Sequence, residues 1–475
     1  MPQSHKPDQH ASNITAPGAD ASLGQWLSYL EAIHPVEIEL GLDRVMVVLQ
    51  RLFPGKPEAR IITVAGTNGK GSTVAALEAL LQEAGRRTAA YTSPHLQVYN
   101  ERIRLLGEQI SDAQMIHAFE RVQEARAEVS LSYFEFGTLA AFVAMSEADV
   151  DDWILEIGLG GRLDAVNVLD ADFLILTSID IDHASFLGND RESIGFEKAG
   201  VLRPGIPAVY ADFDPPRSVL QQALSQEVDL ALLGRDYQLV QCSRQPAMVN
   251  LELGDEEFRL PDFALPVKSL AAAVVASRTL APNLGVQQIE RAVAGVSVPG
   301  RFEQVATSPL VILDVGHNPH AACWLASRLR LLQHPETRIH AVYGALADKD
   351  VQGVAKAMAS VVHSWYLAGL LKEAPRGYSA EALGAQFEQC GIAPEGCWDS
   401  VPEALAEARG QARANAIGVA ETDNAVAGNH RDNRVGTAAA FVYRTHGGKN
   451  IVFGRVQLAQ FLKLVSEHVQ QHFRV

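Results

Sequence analysis

Lys70, flanked by Gly69 and Gly71 and followed by Ser72 and Thr73, is where residue types and spacing in this chain point most directly to chemistry. An ammonium, two hydroxyls and the pliable backbone at Gly66, Gly69 and Gly71 suit a polyphosphate. Glycines let successive N–H groups converge on an anion, a helix starting near Gly71 aims its positive end at the same spot, and the lysine adds a full charge. The order Gly66-x-x-Gly69-Lys70-Gly71-Ser72 is shorter than the usual phosphate loop and sets a glycine between lysine and hydroxyl. A glycine-rich turn without a ligand would explain the glycines, but not a lysine and hydroxyls in this order behind Ile61-Ile62-Thr63-Val64. Nucleotide binding is therefore expected.

Five further places carry reactive groups. Thr92-Ser93-Pro94-His95-Leu96 with Asn100-Glu101-Arg102 follows a strand-like run, where open α/β sheets place ligands. Glu156 interrupts the apolar run Trp153-Ile154-Leu155, and a buried carboxylate there needs a cation or several donors; a metal ion would serve. His183 lies beside Asp180 and Asp182 at the end of another apolar run, although a lone histidine is usually structural. Asp314 and His317 end a third such run, while Lys198, in Glu197-Lys198-Ala199-Gly200, reads by default as a solvated lysine on a helix.

The elements that must position these groups alternate. A helix is expected over 23–33, a second around 34–48, a strand at 61–65, a helix at 72–84 closed by Gly85, and a strand at 88–91, which makes a βαβ unit and a parallel sheet. Tyr133-Phe134-Glu135 opens another helix, its aromatic pair being either core or ligand platform. A Pro-Gly turn at Pro299-Gly300 marks the expected boundary between a large first domain (21–298) and a smaller α/β domain (299–475), behind a disordered leader (1–20). Strands are expected at 310–316, 339–343, 361–367 and 451–453, a helix from 457, and 412–450 in part as a loop of unusual length.

A formal charge of −16 over 475 residues argues against a nucleic-acid surface and leaves any polyanion to be held by local donors. The four cysteines lack C-x-x-C spacing and are expected reduced, as in a cytoplasmic protein. The polar first twenty residues do not read as a signal peptide, and no apolar run reaches membrane-spanning length.

Gly66-Thr-Asn-Gly-Lys-Gly-Ser72, Ser93-Pro-His-Leu96, Leu155-Glu-Ile-Gly-Leu-Gly-Gly-Arg-Leu-Asp164, Asp182-His183, Glu197-Lys-Ala-Gly200, Pro299-Gly-Arg301 and Leu313-Asp-Val-Gly-His-Asn-Pro-His320 occur in that order. Together they resemble the folylpolyglutamate synthase/dihydrofolate synthase family of the Mur-ligase-like superfamily. The resemblance implies an α/β fold, with a large P-loop ATPase-like domain holding a parallel-rich sheet and a smaller Rossmann-like C-terminal domain. It also implies ATP-driven joining of L-glutamate to 7,8-dihydropteroate or reduced folates through an acyl phosphate. By the same resemblance Asn68, Gly69, Lys70, Gly71 and Ser72 face the ATP phosphates, with Ser269, Arg301, Asp314 and His317 on the far side of the nucleotide. Ser93, Glu156 and His183 would hold Mg²⁺, Lys198 would carry a carbamate, and Lys70, Lys198 and His183 would be catalytic. Gly41, Leu42, Asp43, Arg44, Ser132, Tyr133, Phe134, Glu135 and Asp164 would line the pterin pocket. A monomer acting on small molecules is implied. Ser269, where the family commonly has Asn, and Arg455, where it has Ser, depart from the pattern and leave a catalytically silent nucleotide binder as one alternative; a monofunctional folylpolyglutamate synthase and a peptidoglycan-precursor ligase are the others.

Overall fold

The computed structural model describes residues 15–442 apart from 19, 35–38, 243–246, 308–309, 334–336, 373, 375 and 424–436, with side chains described up to residue 412. The expected strand at 451–453, the helix from 457, Arg455 and most of the leader lie outside the described residues.

The first unit begins with α1 (Leu23–Ala32) and α2 (Asp43–Leu52) and is built on β1 (Arg60–Ala65), α3 (Lys70–Glu83), β2 (Thr88–Tyr91), β3 (Ile103–Leu105), β4 (Glu108–Gln109), α4 (Asp112–Arg126), α5 (Tyr133–Glu147), β5 (Asp152–Glu156), β6 (Phe173–Leu176), α6 (Ala184–Leu187), α7 (Arg191–Ala199), β7 (Pro207–Tyr210), α8 (Arg217–Ser225) and β8 (Asp229–Leu232). Its eight strands lie in the order β4-β3-β2-β5-β1-β6-β7-β8, parallel from β2 to β8 and antiparallel at the β3–β4 edge. Central strands buried on both faces read as unbroken apolar runs, and β1 is such a strand. Ile61 and Ala65 join a core with Trp26, Phe119, Phe136 and Phe142 on one face, while Ile62 and Val64 pack with Val74, Leu77, Leu270 and Val274 on the other. Each such fully buried side chain contributes roughly 1.5–3 kcal/mol. The second face is completed by β9 (Gln238–Gln241), β10 (Met248–Leu253) and β11 (Glu256–Pro261), an antiparallel sheet, and by α9 (Val267–Leu280) and α10 (Val286–Ala294). Ala271, Ala272 and Ala273 on α9 are buried against this core.

The second unit runs through β12 (Glu303–Thr307), β13 (Leu310–Asp314), α11 (Pro319–Leu331), β14 (Ile339–Gly344), α12 (Val351–Met358), β15 (Ser364–Ala368), α13 (Ala380–Gln389), β16 (Gly396–Trp398), α14 (Val401–Asp423) and β17 (Thr437–Val442). Its six strands are ordered β12-β13-β17-β14-β15-β16, with β12 antiparallel and the rest parallel.

Within the segment 412–450, expected in part as a long loop, the described residues carry regular structure: α14 extends to Asp423, and β17 lies between β13 and β14. Thr437-Ala-Ala-Ala-Phe-Val442 has weak strand propensity, and its central place in the ladder decides its conformation. The second helix covers Asp43–Leu52 rather than 34–48. Lys198 is not a solvated lysine, for its side chain is buried at 5% exposure.

Candidate active site

The phosphate loop sits between β1 and α3, at the carboxyl edge of the sheet. Gly69 caps α3 in the left-handed region (φ 87°), and a Cβ there would lie 2.4 Å from the Ser269 hydroxyl oxygen, so only glycine fits. Ser269, at the start of α9, donates to the Gly69 carbonyl at 3.2 Å. The Lys70 ammonium donates to the carbonyls of Gly66 (3.0 Å) and Thr67 (3.2 Å) within its own loop. Lys198, on α7, donates to that same Gly66 carbonyl at 2.9 Å. Burial, and then the neighbouring charge of Lys70, bring the Lys198 pKa down to about 7, so much of its amine is neutral near physiological pH.

Glu156 ends β5 directly beneath this loop. A Cβ on Gly71 would stand 3.8 Å from its Oε2, which also accepts the Ser93 N–H at 3.2 Å. Burial pushes the Glu156 carboxyl above its ordinary pKa, against the opposing charge of Lys70, the Ser93 N–H and the charges of Arg301 and Arg104. Among the described residues, the buried hydroxyls of Ser72 and Ser93 have no hydrogen-bond partner. A buried carboxyl beside two unsatisfied oxygens is an oxygen-rich set that suits a hard divalent cation. His183, the third expected ligand, caps α6 in the left-handed region (φ 51°). Burial lowers its pKa to about 4, so its imidazole is neutral and able to donate a lone pair at pH 7. Among the described residues no group of three His, Cys, Asp or Glu side chains is placed to hold a metal, so a site here depends on the serine hydroxyls and on the nucleotide itself.

The second unit meets the loop at the start of α11. Asn318 and Asn68 exchange amide hydrogen bonds at 3.2 and 3.1 Å, and Asn68 also reaches His320 Nδ1 at 2.9 Å. The Asn68 side chain is thus committed to the other unit. Asp314 is buried, raised in pKa by desolvation, and accepts the N–H groups of Phe302 (2.9 Å) and Gly316 (2.6 Å). Its carboxylate fixes the backbone between Arg301 and His317. Gly300 (φ 67°) is pressed against Leu96 and Val315, where a Cβ would stand 2.9 Å from both, so the turn before Arg301 rests on the Ser93 loop. Glu101 holds that loop by accepting from the N–H groups of Leu96, Gln97 and Val98 at 2.6–2.7 Å.

Sequence reasoning did not single out Asp182 or Lys349 as site residues. Asp182 lies within reach of His317 Nε2 (3.2 Å), Lys349 Nζ (3.4 Å) and Asn318 Nδ2 (3.5 Å). Although burial alone would raise it, the hydrogen bond and charge of His317, with His183 and Lys349, hold its carboxyl far below the usual range. The buried run before Asp180 was its signal; its partners, distant in sequence, gave none.

The residues expected at the pterin pocket form one region between α2, α5 and the turn after β5. Gly41 donates its N–H to the Leu163 carbonyl at 3.3 Å, Leu42 caps α2, and Asp43 lies in its first turn. Arg44 bridges Glu39 and Glu135, at 2.8 Å from the latter. Ser132 and Glu135 form a capping box at the start of α5, Glu135 accepting the Ser132 N–H at 2.7 Å. Tyr133 packs edge-on to Tyr99, and the Phe134 ring lies 6.4 Å from that of Tyr91. Asp164 accepts from Leu159 N–H (2.7 Å) and Val166 N–H (3.0 Å). Burial nonetheless raises its pKa to about 6.

That shift gives a testable pH dependence. The folded protein holds the Asp164 proton more tightly than the unfolded chain, so its stabilising effect is full below the unfolded pKa near 3.8 and is lost as pH rises through about 6. Two pKa units correspond to about 3 kcal/mol. Relative to Asp164→Asn, the wild type should lose about that much unfolding free energy between pH 4 and pH 7 in urea titrations. Parallel pH profiles for the two proteins would contradict the assignment.

A phosphate loop, a buried carboxyl beneath it and a second α/β unit closing over both define an ATP-dependent amide-forming ligase of the Mur type. In agreement, residues 300–456 match the family model described as "Mur ligase, glutamate ligase domain". The dihydrofolate synthase/folylpolyglutamate synthase of Escherichia coli K12 is 41% identical over 84% of this chain and 92% of that relative, and the one from Mycobacterium tuberculosis H37Rv is 31% identical over 79% and 84%. The chain belongs to the dihydrofolate synthase/folylpolyglutamate synthase family. The solved structure of E. coli FolC in complex with DHPP and ADP superposes with a TM-score of 0.81 at 36% identity, covering 95% of this chain and 99% of that one. A bifunctional folylpolyglutamate synthase/dihydrofolate synthase solved with Mn, AMPPNP and L-glutamate bound gives 0.77 at 37% identity, covering 94% and 100%. Among the described residues, no helix is long and apolar enough to cross a membrane.

Proposed function

We propose that one active site in this protein joins L-glutamate first to 7,8-dihydropteroate and then to reduced folates, with ATP converted to ADP and phosphate. The observation that carries this reading is the meeting of the Lys70 loop, buried Glu156 and the unpartnered Ser72 and Ser93 hydroxyls with Arg301 and His317 from the second unit. Gly69 to Ser72 present N–H groups and an ammonium to the β- and γ-phosphates, Asn68 ties the loop to Ser178 and Asn318, and Arg301 neutralises charge from the opposite side. The acceptor's carboxylate oxygen attacks the γ-phosphorus and ADP leaves, giving an acyl phosphate. The glutamate amine then attacks the acyl carbon, and the tetrahedral adduct expels phosphate as the amine sheds its proton. Chemistry of this type consists mainly of positioning and charge neutralisation.

Ser93, Glu156 and His183 would hold Mg²⁺, which when bound supplies countercharge across the phosphates. Lys198 would carry a carbamate, formed when its neutral amine adds to the carbon of CO₂ and releases a proton. Its pKa of about 7 supports that chemistry by supplying the free amine. The pterin would lie between Phe134 and the turn holding Asp164, with Arg44 and Glu135 at its edge. The chain divides at 298/299 into the nucleotide-binding and glutamate-ligase domains, and the protein acts as a cytoplasmic monomer without nucleic acid or membrane partners. Ser269 stays compatible with nucleotide binding, since it supports Gly69 directly.

Glutamate incorporation is expected with 7,8-dihydropteroate and with a reduced folate monoglutamate, each inhibiting the use of the other. Incorporation with the folate alone would reduce the activity to that of a monofunctional folylpolyglutamate synthase, and two non-competing substrates would rule out a shared site.

A further inference from the structure

The phosphate loop and the loop after β6 form one body. Thr67 N–H donates to the Ser178 carbonyl at 2.7 Å, Asn68 N–H to the Ser178 hydroxyl at 3.3 Å, and the Thr67 hydroxyl both donates to and accepts from the backbone of Asp180 at 3.1 Å. Asp182 projects from this body to the second unit, where its carboxylate faces His317, Asn318 and Lys349. Lys349 precedes α12, and its side chain is 4% exposed; its other carboxylate neighbour, Asp348, is 38% exposed at 3.5 Å. Asp182 is thus the better-buried counter-ion of a buried ammonium, and that ammonium belongs to the opposite unit. An ion pair across a junction, with little water around it, resists separation far more than an exposed pair does. Asp182 Oδ1 also accepts the N–H of His183 at 2.8 Å, which ties the left-handed turn of the expected metal ligand to the same carboxylate.

We propose that Asp182 is a positioning residue: through Lys349, His317 and Asn318 it latches the second unit onto the phosphate loop, and the closed latch sets the place of Arg301 and His317 opposite Lys70. The Asn68–Asn318 amide pair is the neutral half of the same contact. The inference rests on the ligase reading for its kinetic consequence but not for its structural one. A narrower role, in which Asp182 only shapes the turn at His183, would leave Lys349 irrelevant.

The test uses the full-length protein with Asp182→Asn, Lys349→Gln and the double variant. Lys349→Gln keeps the Asp182–His183 bond and alters only the far side of the latch. Each single variant should lower kcat/KM for glutamate tenfold or more. The double variant should be no worse than the more damaged single, giving a coupling of at least tenfold. X-ray scattering with MgATP should show a larger radius of gyration for each variant than for the wild type. Scattering reads closure whether or not glutamate is joined, so a failure of the latch is distinguishable from a failure of the ligase assignment. Multiplicative effects of the two substitutions, or scattering profiles identical to wild type, would overturn the latch.

Discussion

Lys70→Ala is expected to abolish ATP-dependent glutamate joining while leaving the protein folded. Among the described residues the ammonium bonds to carbonyls of its own loop, Gly66 and Thr67, so its removal strands no distant hydrogen-bond partner there. Its charge is also among the influences opposing the raised pKa of Glu156, which marks it as a principal local cation. During transfer, negative charge on the γ-phosphoryl group and the departing β-phosphate needs a fixed countercharge in a site from which water is excluded. Loss of one such contact costs at least about 3 kcal/mol of transition-state stabilisation, or more than a hundredfold in rate. Single-turnover acyl-phosphate formation is the measurement, with thermal unfolding as the control for folding. Turnover within a fewfold of wild type would remove Lys70 from the phosphate site.

The parts of this molecule that the sequence made legible are those whose chemistry is local. Gly66 to Ser72 names its ligand through residue types alone, and β1 and α3 follow from a β-branched run and an Ala/Leu-rich stretch on either side. Ser132-Tyr-Phe-Glu135 carries a capping-box pattern that the expectation of a pterin pocket passed over; both side chains are used in that box, with Arg44 taking the other oxygen of Glu135. What was not legible depends on tertiary burial. The residues around Lys198 describe an ordinary amphipathic helix, and only the packing of α7 under Gly66 brings the amine to a carbonyl 132 positions away. The bond between Asp182 and Lys349 spans 167 positions. β17 has an alanine-rich sequence with no strand pattern, so its place between β13 and β14 comes from the ladder on both sides.

On the carbamate proposed above, Lys198 is the residue for which that burial would have the largest functional consequence. Burial first, and then the positive charge of Lys70 on the same carbonyl, disfavour an unmodified ammonium here and bring its pKa down to about 7. A carbamate reverses the sign: the nitrogen becomes neutral and a carboxylate is placed among the cations that face the phosphates. Lys198→Ala is therefore expected to lose more than a hundredfold in kcat, as when a charged group is taken from the transition state. Acetate or propionate at high concentration should restore part of the loss by filling the vacated anionic position. Lys198→Arg, which keeps a positive charge and forms no carbamate, should stay inactive under the same conditions. Lowering the pH below 7 protonates the amine, so carbamate formation and activity should fall together and recover with added bicarbonate. Carbon-13 NMR of protein equilibrated with labelled CO₂ reads the modification directly and should show a carbamate resonance that Lys198→Ala lacks. A fully active alanine variant, or spectra identical for the two proteins, would leave Lys198 as a buried structural amine.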